Sequence, residues 1–208
     1  MIKTSRKSAQ DAGVEKKCTF QVIDATELIH KSSELQRHRF TKAFSNAAMH
    51  WILRPEDKRE AFFRGVREAL APGATFAFEM GGLGNVSEIR AALLMAVGRR
   101  IGLERAQAAD PWFFPDETWI QHIMEEQVGG WKIEKIEREW RPTTADEGGI
   151  PGWIRLMARN FIEALPEDEV EREAAIKEVV DVLEIVCAKP GGGYMYSYVR
   201  LRVLARRV

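Results

Sequence analysis

Residues 42–53, Lys-Ala-Phe-Ser-Asn-Ala-Ala-Met-His-Trp-Ile-Leu, constrain this 208-residue chain more than any other stretch. They read as a short apolar strand, residues 42–47, that breaks at Ser45-Asn46 and runs into a turn tipped by His50 and Trp51. Pro55 then opens a helix, at the position where its missing N–H costs no hydrogen bond. A buried strand that ends in small polar residues belongs to an open α/β sheet, and such sheets hold their ligands beyond the carboxyl ends of their strands.

The rest of the chain alternates strand and helix patterns, which predicts an α/β fold. Residues 5–16 are polar and read as a short helix; residues 18–23 alternate weakly and read as a strand ending at Asp24. Residues 26–38 are polar and give no clear pattern. Phe62, Phe63, Val66, Ala69 and Leu70 share one face of the helix begun at Pro55. Ala71-Pro72-Gly73 ends it, and residues 75–80 form the next strand. The glycine-rich loop 81–85 leads into a helix over residues 86–101, and residues 110–115 form an aromatic loop. Asp116 caps a helix that runs to Gln127, and Gly129-Gly130 turns into a strand over 131–139. Residues 141–152, rich in Pro, Thr and Gly, suggest a mobile connection. Helices follow at 153–164 and 167–188, the second entered at Pro166, with Val170, Ala174, Val179, Leu183 and Val186 as its buried stripe. Residues 196–205 form the last strand, in which Tyr198, Arg200 and Arg202 alternate with Val199, Leu201 and Val203.

Hydrophobic residues at 45%, charged residues at 30% and zero net charge fit one soluble globular domain over 1–208, and argue against a nucleic-acid partner. Charge is uneven: residues 163–184 hold nine acids and two bases, while Arg200, Arg202, Arg206 and Arg207 make the C-terminus basic. Cys18 and Cys187 lie far apart, without metal-ligand spacing, which fits a reducing, cytoplasmic compartment. No run suggests a membrane span or a secretory signal, and the four histidines have no zinc-like spacing, so no metal is expected. There is no GxSxG and no P-loop. Residues 82–87 begin like a dinucleotide fingerprint, but Ser87 stands where the third glycine would be.

Several segments, in order, resemble one family. Ser45-Asn46-Ala47-Ala48-Met49-His50-Trp51 resembles the SNAALHW signature of trans-aconitate methyltransferase-like proteins, a branch of the class I S-adenosylmethionine-dependent methyltransferases. Phe20-Gln21-Val22-Ile23-Asp24-Ala25 resembles that family's third strand and its acidic end, and Leu70-Ala71-Pro72-Gly73 its LxPGG turn. Phe78 to Val86, Trp112-Phe113-Phe114-Pro115, Gly148 to Arg155 and Tyr198 to Arg202 resemble the later segments, including an aromatic loop and a lid. The resemblance implies a Rossmann-like methyltransferase fold with a helical lid over residues 141–193, before the last strand. It also implies an N-terminally shortened fold: the first two strands, their GxGxG loop and first helix, about 50 residues at typical element lengths, have no counterpart here. The folded core is then expected to be the family's fourth to seventh strands, with residues 30–39 as extra length before the fourth.

By the resemblance the cofactor is S-adenosyl-L-methionine, held by Asp24, Ala25, Ser45, Asn46 and Ala47. His50 is the implied catalytic residue, with Trp51, Trp112, Trp153 and Arg155 on the substrate side. The acceptor would be a small carboxylic acid or related metabolite. Each residue also has an ordinary reading: Asp24 as a turn carboxylate, Ser45 and Asn46 as strand-ending turn residues, His50 as a capping or core histidine. Trp51 would then be helix packing and Arg155 an exposed helix residue. A carboxylate acceptor is already ionised near neutral pH, so His50 is cast as a positioning donor rather than a base. The other reading is a non-catalytic remnant that works as a homodimer or with a protein partner through an exposed strand edge.

Overall fold

The computed structural model of the chain describes residues 2–31 and 40–208. Helix α1, Ile2–Asp11, buries only Ala9. Strand β1, Phe40–Asn46, leads into the short helix α2, Met49–Ile52. Pro55 precedes a 3-10 turn, Glu56–Lys58, and helix α3, Arg59–Ala69, follows it, so the proline stands one turn ahead of the helix it was expected to open. Next come β2, Leu70–Gly81, then α4, Ser87–Ile101, and α5, Leu103–Ala109. Helix α6, Glu117–Gln121, is capped by Asp116 and widens into a π-helical stretch, His122–Val128. Strand β3, Trp131–Thr144, is followed by α7, Gly149–Met157, α8, Arg159–Glu163, α9, Glu169–Val186, and finally β4, Met195–Arg207.

Among the described residues the sheet has four strands, in the order β1-β2-β4-β3. Strands β1 and β2 are parallel, and β4 runs antiparallel between β2 and β3. This is a mixed α/β sheet of the Rossmann-like kind. One face is packed: Phe76, Phe78 and Met80 of β2 and Leu201, Val203 and Ala205 of β4 meet Phe62, Phe63 and Val66 of α3. Ile120, Ile123, Met124 and Val128 complete that core. A second core fills the helical unit, where Ile89, Leu93 and Val97 of α4 meet Ile150 and Ile154 of α7, Phe161 of α8 and Val179 and Leu183 of α9. The opposite sheet face is charged: Arg202 bonds Glu79 at 2.6 Å and also Glu139, and Arg206 bonds Glu134 at 2.6 Å.

Several expectations need correction. Residues 18–23 form no strand; Val22 is 88% exposed, and among the described residues no neighbouring strand supplies a ladder. The segment that follows docks on α3 instead, where Gly65 admits it: a Cβ at Gly65 would stand 2.6 Å from Leu28 Cβ. Residues 141–144 are not a mobile connection but the end of β3, and Pro142 is tolerated because β3 is an edge strand that, among the described residues, pairs only with β4. The helix expected over 153–164 is two helices, α7 and α8, broken at Ala158. Helix α9 starts at Glu169, not at Pro166, because Asp168 accepts from the N–H groups of Val170 and Glu171. Its buried stripe is Ala175, Ile176, Val179 and Leu183. Val170 and Val186 are 79% and 61% exposed, and Ala174 is exposed too. Ion pairs from Arg99 to Glu178 and from Arg100 to Glu171 and Glu178 fix the rotation of α9 against α4. Most of the extra length at residues 30–39 lies outside the described residues.

Candidate functional site

At the carboxyl ends of β1 and β2, α2 and the loop 110–115 enclose a cleft of about 110 Å³. The chain enters it through a tight turn: Ala47 takes φ +52° and its N–H donates to the Glu79 carbonyl at 2.9 Å. That turn delivers Met49, fully buried, into the core and leaves His50 7% exposed beside it. The second wall begins with Val86, also at positive φ (+45°), which precedes α4. Among the described residues these two are the non-glycine positions at positive φ, and both line the cleft. Such backbone costs on the order of 1–3 kcal/mol and gathers at functional sites. Ala47 is exposed, so Ala47→Gly relieves the strain without opening a cavity; the expected gain, net of glycine's entropy, is about 0.5 kcal/mol in urea unfolding. A loss of stability instead would show that the turn is unstrained.

His50 is fixed at both ends. Its carbonyl accepts from Phe113 N–H at 2.9 Å, and its Nδ1 accepts from Gly81 N–H at 3.2 Å. Gly81 permits this approach, since a Cβ there would lie 2.5 Å from the Phe114 ring. Burial, with the nearby Arg200 charge, pushes the His50 pKa down to about 4. The imidazole is therefore neutral near pH 7, and with Nδ1 accepting, its proton sits on Nε2. His50 offers one neutral N–H donor.

Aromatic rings line the rest. Trp51 lies 5.5 Å from the His50 ring and 5.8 Å from Trp112, and Trp112 stacks on Phe114 at 5.9 Å. Trp153 of α7 reaches in to 5.9 Å from Trp112, and its Nε1–H donates to the Tyr198 hydroxyl at 2.7 Å. Asp110, 3% exposed, anchors this loop: its side chain accepts from Trp112 N–H at 3.1 Å and from Arg90 Nε at 2.5 Å. Asn85 ties β4 to the same wall by accepting from Val199 N–H at 2.8 Å.

Of the residues singled out from the sequence, Ala47, His50, Trp51, Trp112 and Trp153 thus converge on one cleft. The others lie elsewhere. Asp24 is an exposed turn carboxylate, accepting from Thr26 N–H at 2.9 Å and Thr26 Oγ1–H at 2.8 Å, which hold its pKa below the usual range. Ala25 and Ser45 line a separate apolar cavity of about 280 Å³ between β1 and α3, with no titratable group on its walls. Asn46 borders the charged sheet face with Glu79 and Arg202. Arg155 is brought to none of these; on the outer side of α7 it pairs with Glu173 at 2.7 Å. The sequence reading missed Asn85, Tyr198 and Arg200 as cleft residues. The polar alternation of the last strand was the available signal; the cross-strand pairing of Gly81 with Arg200 is what places it beside His50. Among the described residues no group of His, Cys, Asp or Glu could hold a metal ion, and no helix is long and apolar enough to cross a membrane.

No protein-family model matches the chain. It is 31% identical over 211 residues to an uncharacterized methyltransferase of Schizosaccharomyces pombe, covering 100% of this chain and 74% of that relative. The fold resembles the YcgJ protein of Bacillus subtilis with a TM-score of 0.59 at 13% identity, over 100% of this chain and 78% of that one. A structure solved in work on converting a disulfide bond into a thioacetal group during echinomycin biosynthesis gives a TM-score of 0.50 at 15% identity. There the chain covers 99% of its own length and 61% of the other's. At such identities the structures speak to fold alone.

Proposed function

This chain belongs to the methyltransferase family of its yeast relative, and from that premise we propose that it transfers a methyl group from S-adenosyl-L-methionine to an oxygen of a small carboxylic acid or related metabolite. The observation that carries this reading is the convergence of Ala47, His50, Trp51, Trp112 and Trp153 on one cleft at the carboxyl ends of β1 and β2.

The residues fit the methyl-bearing end of the cofactor and the acceptor. At about 110 Å³ the cleft holds a small acid and not a whole nucleoside. The adenosine part would lie along the β1 end, toward Ser45, Asn46 and Asp24, whose second carboxylate oxygen makes no bond to Thr26. When bound, the cofactor supplies an electrophilic methyl group on a sulfonium. The acceptor arrives ionised, so the protein has no proton to remove; it orients and desolvates. His50 Nε2–H orients an acceptor oxygen, and the Trp51, Trp112 and Phe114 rings keep water from it. The helical lid expected over residues 141–193 would act on the cleft through Trp153 and Met157 of α7, which line it. The two free cysteines fit a cytoplasmic setting.

A second reading, a non-catalytic protein working through a homodimer, is favoured by one feature. Among the described residues strand β1 pairs with β2 alone, and Phe44 is 76% exposed on it. The same edge would receive the further strands that the family resemblance calls for. Calorimetric titration with S-adenosylmethionine and S-adenosylhomocysteine separates the readings. Saturable micromolar binding is expected; no binding by a protein folded by circular dichroism overturns the methyltransferase reading in favour of the second.

A further inference from the structure

Several partly buried arginines in this fold donate hydrogen bonds to the protein itself. Arg67 donates to the Val128 and Gly129 carbonyls at 2.9 Å, Arg54 to the Asp110 carbonyl at 2.5 Å, and Arg202 to Glu79 at 2.6 Å. Arg200 is different. Its side chain is 18% exposed in the wall of the cleft, and it donates no hydrogen bond among the described residues. Its nearest counter-charge, Glu79 Oε1, stands 3.8 Å away, and the other oxygen of Glu79 is bonded to Arg202. The guanidinium lies 4.6 Å over the Tyr198 ring, and Tyr198 is held in turn by Trp153 Nε1–H. The fork is thus oriented by stacking while its donors stay uncommitted.

We infer that Arg200 is the anion-recognition residue of the cleft and binds a carboxylate of the acceptor. This deepens the methyltransferase reading and rests on it. Among the described residues no carboxylate side chain lines the cleft, Glu79 behind Arg200 is bonded to Arg202, and His50 is a neutral donor, so Arg200 is the charged group that faces the cleft. Aromatic walls alone would also suit a cationic acceptor, but a fixed guanidinium repels one. The planar fork matches a carboxylate through two parallel hydrogen bonds, and the apolar rings around it raise the strength of that contact. The same walls favour a flat acid over a branched one.

Quenching of the cleft tryptophans by benzoate and by its neutral isostere benzamide reads this directly and needs no cofactor. Wild type is expected to bind benzoate about tenfold more tightly than benzamide. Arg200→Gln should bring the two within about twofold, with Arg200→Lys between, because a lysine keeps the charge without the fork. Circular dichroism confirms that each variant is folded. A benzoate preference that survives in R200Q, or its absence from wild type, overturns the proposal. If the preference stands and S-adenosylhomocysteine fails to bind, the cofactor reading falls and the anion site remains.

Discussion

Replacing Trp112 by alanine is expected to lower the unfolding free energy by about 3–5 kcal/mol, the range for losing a buried aromatic ring. Trp112 is 5% exposed and meets Trp51, Phe114, Trp153 and Phe161 at ring separations of 5.8, 5.9, 5.9 and 6.1 Å. Those partners come from α2, the aromatic loop, α7 and α8, so one ring joins the helical unit to the strand ends. Trp112→Phe keeps the stack on Phe114 and should recover more than half of the loss. Urea unfolding at pH 7 measures both; a W112A cost below about 1.5 kcal/mol would mean that the cluster closes over the gap.

The second large effect is acid sensitivity from His50. Its folded pKa, about 4, lies below the 6.5 of an unperturbed imidazole, so the unfolded chain takes up the proton first. The stability this residue confers is complete above pH 6.5 and drains away as pH falls toward 4. The loss over that window is about 3 kcal/mol, at 1.36 kcal/mol per pKa unit. His50→Gln cannot take up this proton and should flatten the corresponding part of the stability–pH curve between 6.5 and 4. Equal slopes for the two proteins would sink the account. Activity, by the same reasoning, should show no inflection near pH 6.5, since the Nε2–H donor persists throughout the neutral range.

The strand ends were legible because short-range chemistry wrote them. Ser45-Asn46 ending an apolar run and Asp116 ahead of a helix specify local backbone irrespective of what packs on it. The cleft's aromatic members were legible as motifs, while its polar members were not. Arg200 and Asn85 acquire their place from strand register, a contact between residues more than a hundred positions apart, as in Asn85 Oδ1 with Val199 N–H. Residues 18–23 were misread for the same reason: alternation records that a segment can be extended, and only a neighbour makes it a strand. The stripe of α9 was read correctly at Val179 and Leu183 and wrongly at Val170, Ala174 and Val186, because the neighbouring face is apolar too and the arginines of α4 chose between them.

The position of β4 has a further consequence, for how the molecule assembles. The last strand in sequence is an interior strand of the sheet, hydrogen-bonded to β2 on one side and β3 on the other. Without it β2 and β3 share no backbone ladder, their contact being the Phe76 and Trp131 rings at 6.1 Å. During synthesis β2 and β3 must therefore wait, each with an open edge, until residues 195–207 emerge. Folding of the sheet is set by closure of long loops rather than by local hairpins, which makes it slow and leaves its intermediates open to unwanted pairing. The charged rows centred on Arg202 and Arg206 lie on that late-arriving strand and find Glu79 and Glu134 only when it docks, so the final strand also carries the ionic check that it has docked in register.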